Sequence, residues 1–267
     1  MTMDVNPVVL VLLGWLAAAP LMLVLWFAQR SRPNASLADV GWCFGFAFVI
    51  FGYALAAPGE IERRLVVSSL AGIHAIRLGT HILFDRVLGK TEDARYQTLR
   101  REWGSRAPLY SFFYFQSQAV AIAVFSIPLL VLMYNPHKTV SLWELAGVVV
   151  WLGAVIGETM ADRQLARFRA NPNNGGKTCR LGLWRYSRHP NYFFEGLYWS
   201  AYVLMGVGVP YGWLTLIGPL LMVWALLRVT GVPRAEAQAL ASRGADYREY
   251  QRTTSVFLPW FPKEDKP

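Results

Sequence analysis

Residues 7–27 read PVVLVLLGWLAAAPLMLVLWF, without one charged side chain. That length matches the roughly 20 residues an α-helix needs to cross a hydrocarbon core. The run is longer and more evenly apolar than the core of a cleaved signal, and Asp4 precedes it where a signal carries Lys or Arg. It reads as a retained membrane span. Six more stretches share its character, at about 37–56, 66–84, 112–134, 142–160, 192–209 and 213–230, the last two joined at Pro210 by a tight turn. The expectation is an all-α polytopic membrane protein with about seven transmembrane helices, in one domain over residues 1–267.

Of the 267 residues, 54% are hydrophobic and 16% charged, whereas an ordinary soluble domain carries about 25% charged residues. Twenty-two Lys and Arg residues lie in the connections 29–36, 85–108 and 161–190 and from Arg228 onward, against three in the opposite set of connections. By the positive-inside rule this split requires an odd number of spans, an N-terminus outside and a cytoplasmic C-terminus. It also accounts for the net charge of +9 through the lipid bilayer as partner, with no nucleic acid. Cys43 and Cys179 belong to no CxxC and build no disulfide framework, and no metal site is expected.

An ionisable side chain at membrane depth is costly, so each marks a functional candidate. The third span carries His74, Arg77, His81 and Asp85, which on a regular helix fall within roughly an 80° arc. The two histidines are about 10 Å apart along the axis, too far to share a metal ion. These four form either a polar seam that pins helix packing or one wall of a ligand cavity. At the end of the fifth span Glu158, Asp162 and Arg169 lie within about 40° on a helix that continues beyond the membrane. Two acids stacked at that spacing repel each other and call for a cationic or hydrogen-bond-rich partner. In the sixth span Asn191, Glu195, Tyr198 and Tyr202 share an arc of about 60°. Just ahead of them comes RYSRHP, residues 185–190. A proline at the first helical position leaves free amide groups, and the helix dipole adds partial positive charge. With Arg185, Arg188 and His189 beside it, that helix start suits a phosphate or carboxylate. The plainer alternative is a basic loop that happens to precede a helix. Asp39 and Trp42, with Gln116 and Gln118, complete the candidate cavity.

The run GLWRYSRHPNY (182–192), followed by Glu195, resembles the signature of the steroid 5α-reductase-like integral membrane reductases. It is closer still to their bacterial branch, a domain-of-unknown-function family. DVGW (39–42), GKTEDARY (89–96), Leu99-Arg100 with Trp103-Gly104, GETMAD (157–162) and the tail with Tyr247, Tyr250, Thr254, Phe257 and Pro259 agree with that branch. The resemblance implies a seven-helix fold in the bacterial inner membrane that encloses NADPH from the cytoplasmic side, mainly with residues 156–260. It implies hydride transfer to a C=C conjugated to a carbonyl in a steroid-like or other lipid substrate. Carried over by motif, Glu158, Asp162, Arg169, Asn191 and Arg228 line the dinucleotide pocket, with Glu195 near the nicotinamide end. Two features depart from the family pattern. The second span lacks the Gln-Glu pair of the steroid reductases, with His74 standing where they place a Tyr, and Phe194 replaces the Gly usual before Glu195.

The expected reaction is hydride delivery to the β-carbon of an enone. His74 stabilises the growing enolate oxygen, with Asp39 and Tyr186 as alternates. The RHPxY run and the Tyr-rich tail also resemble the isoprenylcysteine carboxyl methyltransferases, which makes an S-adenosylmethionine-dependent membrane methyltransferase the alternative. A lipid-binding or structural protein whose polar seams only pack helices is the third reading.

Overall fold

The computed structural model describes residues 5–31, 33–92 and 94–263, so Asp4 and Asp93 of the sequence argument lie outside the described residues. The described residues form α1 (Pro7–Ser31), α2 (Ser36–Ala56), α3 (Ile61–Ile82), α4 (Ala94–Trp103), α5 (Ala107–Met133), α6 (Leu142–Ala170), α7 (Pro190–Met205), α8 (Ile217–Trp224) and α9 (Val232–Thr253). No strand occurs among them. An all-helical chain is what a bilayer demands, because a helix satisfies its own backbone N–H and C=O groups where no water can. Six stretches are long and apolar enough to cross a membrane: Pro7–Ser31, Ser36–Ala56, Ile61–Val87, Tyr96–Met133, Leu142–Ala170 and Gly212–Thr253. The remaining expected span, at 192–209, is α7, and its 16 residues fall short of the usual length. It stops at Met205 because the chain turns there. Gly206 and Gly212 come into backbone contact, Gly208 takes φ +80 and Tyr211 φ +59, conformations closed to a continuing helix.

The chain divides into two compact units. The first holds the described residues up to Ser141 together with Gly206–Ile217. In it α1 packs on α5 and α2, and α2 packs on α3. Close approach relies on small residues, as in other membrane helix pairs. At Gly79 of α3 an added methyl would sit 2.8 Å from the Cys43 Cβ of α2. Apolar residues at the outer surface of α1, among them Val8, Leu12, Leu16 and Val24, are exposed, as they are on a helix in contact with lipid. After Ile82 the helix widens into one π turn, Leu83–Val87. Extrapolating the helical period through that turn misplaces Asp85, which is exposed and paired only loosely with Arg86 at 4.0 Å.

The second unit holds Leu142–Met205 and the residues from Gly218 onward. Its centre is the antiparallel-type pairing of two neighbours in sequence, α6 with α7. α9 does not run straight. Glu236 and Gln251 hydrogen-bond at 2.8 Å, yet fifteen residues of straight helix would separate them by about 22 Å. The helix doubles back at Gly244, whose φ of +52 and ψ of −118 only a residue without a Cβ adopts readily. Around that reversal Ala239, Tyr247 and Tyr250 form a small buried core with Leu240.

Candidate functional site

Four of the expected site residues come together where α6 faces α7. Glu158 and Glu195 are buried, at 4% and 7% exposure, and Asp162 and Asn191 are half-buried. Asn191 donates from Nδ2 to Asp162 Oδ1 at 3.3 Å. One turn further along α7, Glu195 Oε1 accepts from Trp199 Nε1 at 3.0 Å, and Tyr202 donates to Tyr198 at 3.1 Å. Phe194 lies with its ring directly over Gly157 of α6. The absence of a side chain at Gly157 is what lets the Phe194 ring approach α6 so closely.

The RYSRHP loop ahead of α7 is held from three directions. Gly182 takes φ +57 and lies against the Gln164 side chain, which leaves no room for a Cβ, while Gln164 Oε1 accepts from Leu183 N at 2.9 Å. Trp184 donates its indole N–H to Ala161 O at 2.9 Å. From α9, Tyr250 donates to the carbonyls of Trp184 and Ser187. Arg188 and His189 turn toward α9 as well. Glu236 Oε1 accepts from Arg188 Nε at 2.7 Å and lies 3.3 Å from His189 Nε2, with Tyr247 OH at 3.4 Å. Arg188 also donates to the carbonyls of Gln251 and Thr254. The His189 ring stacks on Tyr192 in the first turn of α7, with centroids 5.2 Å apart. These two side chains brace the helix start from behind. Arg169, Arg185 and Arg228 differ from them in being exposed. Nearby Cys179 is buried, and burial pushes its thiol pKa up against the lowering effects of a backbone bond at Leu181 and of Arg169 and Arg243.

His74 and Asp39 belong to the other unit. His74 is buried in α3 at 3% exposure, and Arg77 is half-buried on the same helix. Both carboxylate oxygens of Asp39 accept from Tyr96 OH, at 2.9 and 2.8 Å, and Tyr114 OH lies 3.3 Å from Oδ1. Asp39 is thus a hydrogen-bond acceptor anchoring α4 and α5 to α2. Trp42 stacks on Phe46, and Gln116 reaches Ala19 O of α1 at 3.4 Å. Sequence reasoning missed a second polar cluster in this unit. Arg100 links Glu92, at 2.8 Å, to Gln29, at 3.1 Å, and Glu92 also caps Ala35 N at 2.9 Å. Gln29 was hidden by its place at the end of an apolar span, and Glu92 by its place in a connection.

The family model described as "Protein of unknown function (DUF1295)" matches residues 25–254. This chain belongs to the DUF1295 family. No curated protein and no solved structure matches it. The DUF1295 match contains every site residue named above, from Gln29 to Thr254, in both units. It ends at residue 254, one residue past the end of α9.

Proposed function

We propose that this DUF1295 protein is an NADPH-dependent membrane reductase that transfers hydride to a C=C conjugated to a carbonyl in a steroid-like or other lipid substrate. The observation that carries the reading is the Asn191 carboxamide. Its Nδ2 is committed to Asp162, while its Oδ1 is buried without a hydrogen-bond partner among the described residues. A buried acceptor left unsatisfied costs about 1–3 kcal/mol, and a ribose hydroxyl or a carboxamide N–H of a dinucleotide supplies the missing donor. The charge of the unit supports the same choice. Arg169, Arg185 and Arg228 are three exposed guanidinium groups, and guanidinium recognises phosphate in a bidentate manner. NADPH carries a pyrophosphate and a 2′-phosphate, whereas S-adenosylmethionine carries no phosphate at all.

When bound, NADPH supplies the hydride. Asn191, Asp162, Glu158 and Glu195 hold the nucleoside parts through hydrogen bonds, and Arg169, Arg185 and Arg228 hold the phosphates. Arg188 and His189, engaged by Glu236, position the start of α7. His74 is the donor proposed for the carbonyl oxygen of the substrate, since charge that develops on oxygen in a dry cavity is best met by a fixed hydrogen bond. Tyr186 is the alternate donor. In Asp39 the carboxylate already serves Tyr96 and Tyr114 as an acceptor. The positive-inside split supports active-site loops in the cytoplasm and an N-terminus outside.

Titration calorimetry on detergent-purified protein with NADPH, NADH and S-adenosylmethionine tests the assignment. Tighter binding of NADPH than of NADH is expected; equal affinities, or binding of S-adenosylmethionine alone, would overturn it. NADPH oxidation against a panel of enone lipids and sterols then identifies the substrate class. Reporter fusions at the two termini test the orientation, which an external C-terminus would refute.

A further inference from the structure

The segment after α9, residues 254–263, has no helix of its own, yet its backbone is fastened at several points. Arg188 N donates to Ser255 O at 2.8 Å, Trp260 N to Tyr186 O at 2.9 Å, and Lys263 N to Thr253 O at 2.8 Å. Ser187 Oγ donates to Phe257 O at 2.8 Å. The Phe257 ring meets Phe193 edge to face at 6.0 Å, and a methyl on Gly196 would lie 3.5 Å from it. Phe193 and Gly196 belong to the first two turns of α7, so the segment runs beside the beginning of that apolar helix. Held in this way, it turns large apolar side chains outward. Leu258, Trp260 and Phe261 are 63%, 71% and 74% exposed. Phe261 touches the protein through the edge of the Tyr186 ring, with centroids 6.0 Å apart, and leaves most of its surface outside.

A cluster of that kind in water is an aggregation liability and marks a surface that something covers. Its position says what covers it. α7 packs along α6, a helix long and apolar enough to cross a membrane. A segment tied to the first turns of α7 fits the depth of the headgroups, where Trp is enriched and aromatic side chains find both apolar chains and polar partners. Exposed cations flank the cluster: Arg185 beside Tyr186, Arg252 just ahead of the segment and Lys263 at its end. Basic residues beside such an apolar patch are drawn to lipid phosphates. We propose that residues 256–261 form an interfacial anchor, in which Leu258, Trp260 and Phe261 insert at the boundary between acyl chains and headgroups while Arg252 and Lys263 meet the lipid phosphates. The anchor ties the RYSRHP loop to the membrane surface, and it stands independently of the cofactor assignment.

Spin labels read this directly. Leu258→Cys, Trp260→Cys and Phe261→Cys alter only exposed side chains, and the native Cys43 and Cys179, 1% and 2% exposed, stay out of reach of the reagent. Each labelled full-length variant, checked for a monodisperse elution profile, is placed in nanodiscs of phosphatidylcholine and phosphatidylglycerol. Collision with oxygen is then compared with collision with a soluble nickel chelate. Oxygen is expected to dominate at 258, 260 and 261, and nickel at the control Arg248→Cys. Nickel dominating at all positions would place the segment in water and overturn the proposal. Low accessibility to both reagents would overturn it equally, since protein and not lipid would then be the cover.

Discussion

Arg188 donates from Nε to Oε1 of Glu236 across 2.7 Å, and the side chains are only 11% and 16% exposed. The pair joins the loop ahead of α7 to the first arm of the reversed α9, forty-eight residues later in the chain. Removing one partner of a largely buried pair leaves the other charge uncompensated. Glu236→Ala is expected to destabilise the protein by about 3 kcal/mol, with Glu236→Gln milder because it keeps an oxygen acceptor. Thermal unfolding in detergent measures both. A Glu236→Ala variant as stable as the parent would mean that Tyr250 and the backbone ties hold the loop unaided.

Gly157 and Phe194 make a second coupled pair. A methyl at Gly157 would run into the Phe194 ring, and overpacking of this kind costs about 2 kcal/mol. Gly157→Ala is expected to lower the unfolding temperature, and Gly157→Ala combined with Phe194→Leu to recover most of the loss. Additive losses in the double variant would show that the two positions are not in register.

Asn191 separates a cofactor contact from helix packing. Asn191→Ala removes both the orphan acceptor and the bond to Asp162 without adding bulk. NADPH affinity is expected to fall at least tenfold, about 1.4 kcal/mol, while the protein still inserts and purifies. Unchanged affinity together with a lowered unfolding temperature would assign Asn191 to packing alone.

His74 and Asp39 are expected to respond differently. Once a substrate is in hand, His74→Ala should leave NADPH binding nearly intact and cut turnover by roughly 10², the scale of losing one oxyanion donor, and His74→Gln should recover part of it. Asp39→Ala removes the carboxylate that accepts from Tyr96 and Tyr114, leaves those two hydroxyls only each other at 2.9 Å, and should destabilise the protein by about 1 kcal/mol. Steady-state kinetics and unfolding curves distinguish the two cases. Normal turnover in His74→Ala would pass the donor role to Tyr186.

Much of this protein is written in local order. Runs of apolar residues of bilayer length can become only helices, because each must satisfy its own backbone in lipid, and α1, α2, α5 and α6 lie where those runs lie. Asp162 and Asn191 were each legible as polar residues on an arc of their own helix, but only the folded chain pairs them, at 3.3 Å. Tertiary structure decided the rest. The partner of Arg188 and His189 is Glu236, and no periodicity points to it, because the contact exists only once α9 reverses at Gly244. Asp39 reads as a charge in a membrane span, yet its role depends on two tyrosines from α4 and α5 that arrive from more than fifty residues away. α7 ends early because Gly206 and Gly212 meet, a contact between backbones that the apolar run through Val209 conceals. Helical period and hydrophobicity report what a segment does alone in a bilayer, whereas hydrogen-bond partners are set by which segments the folded chain brings within 3 Å or so of one another.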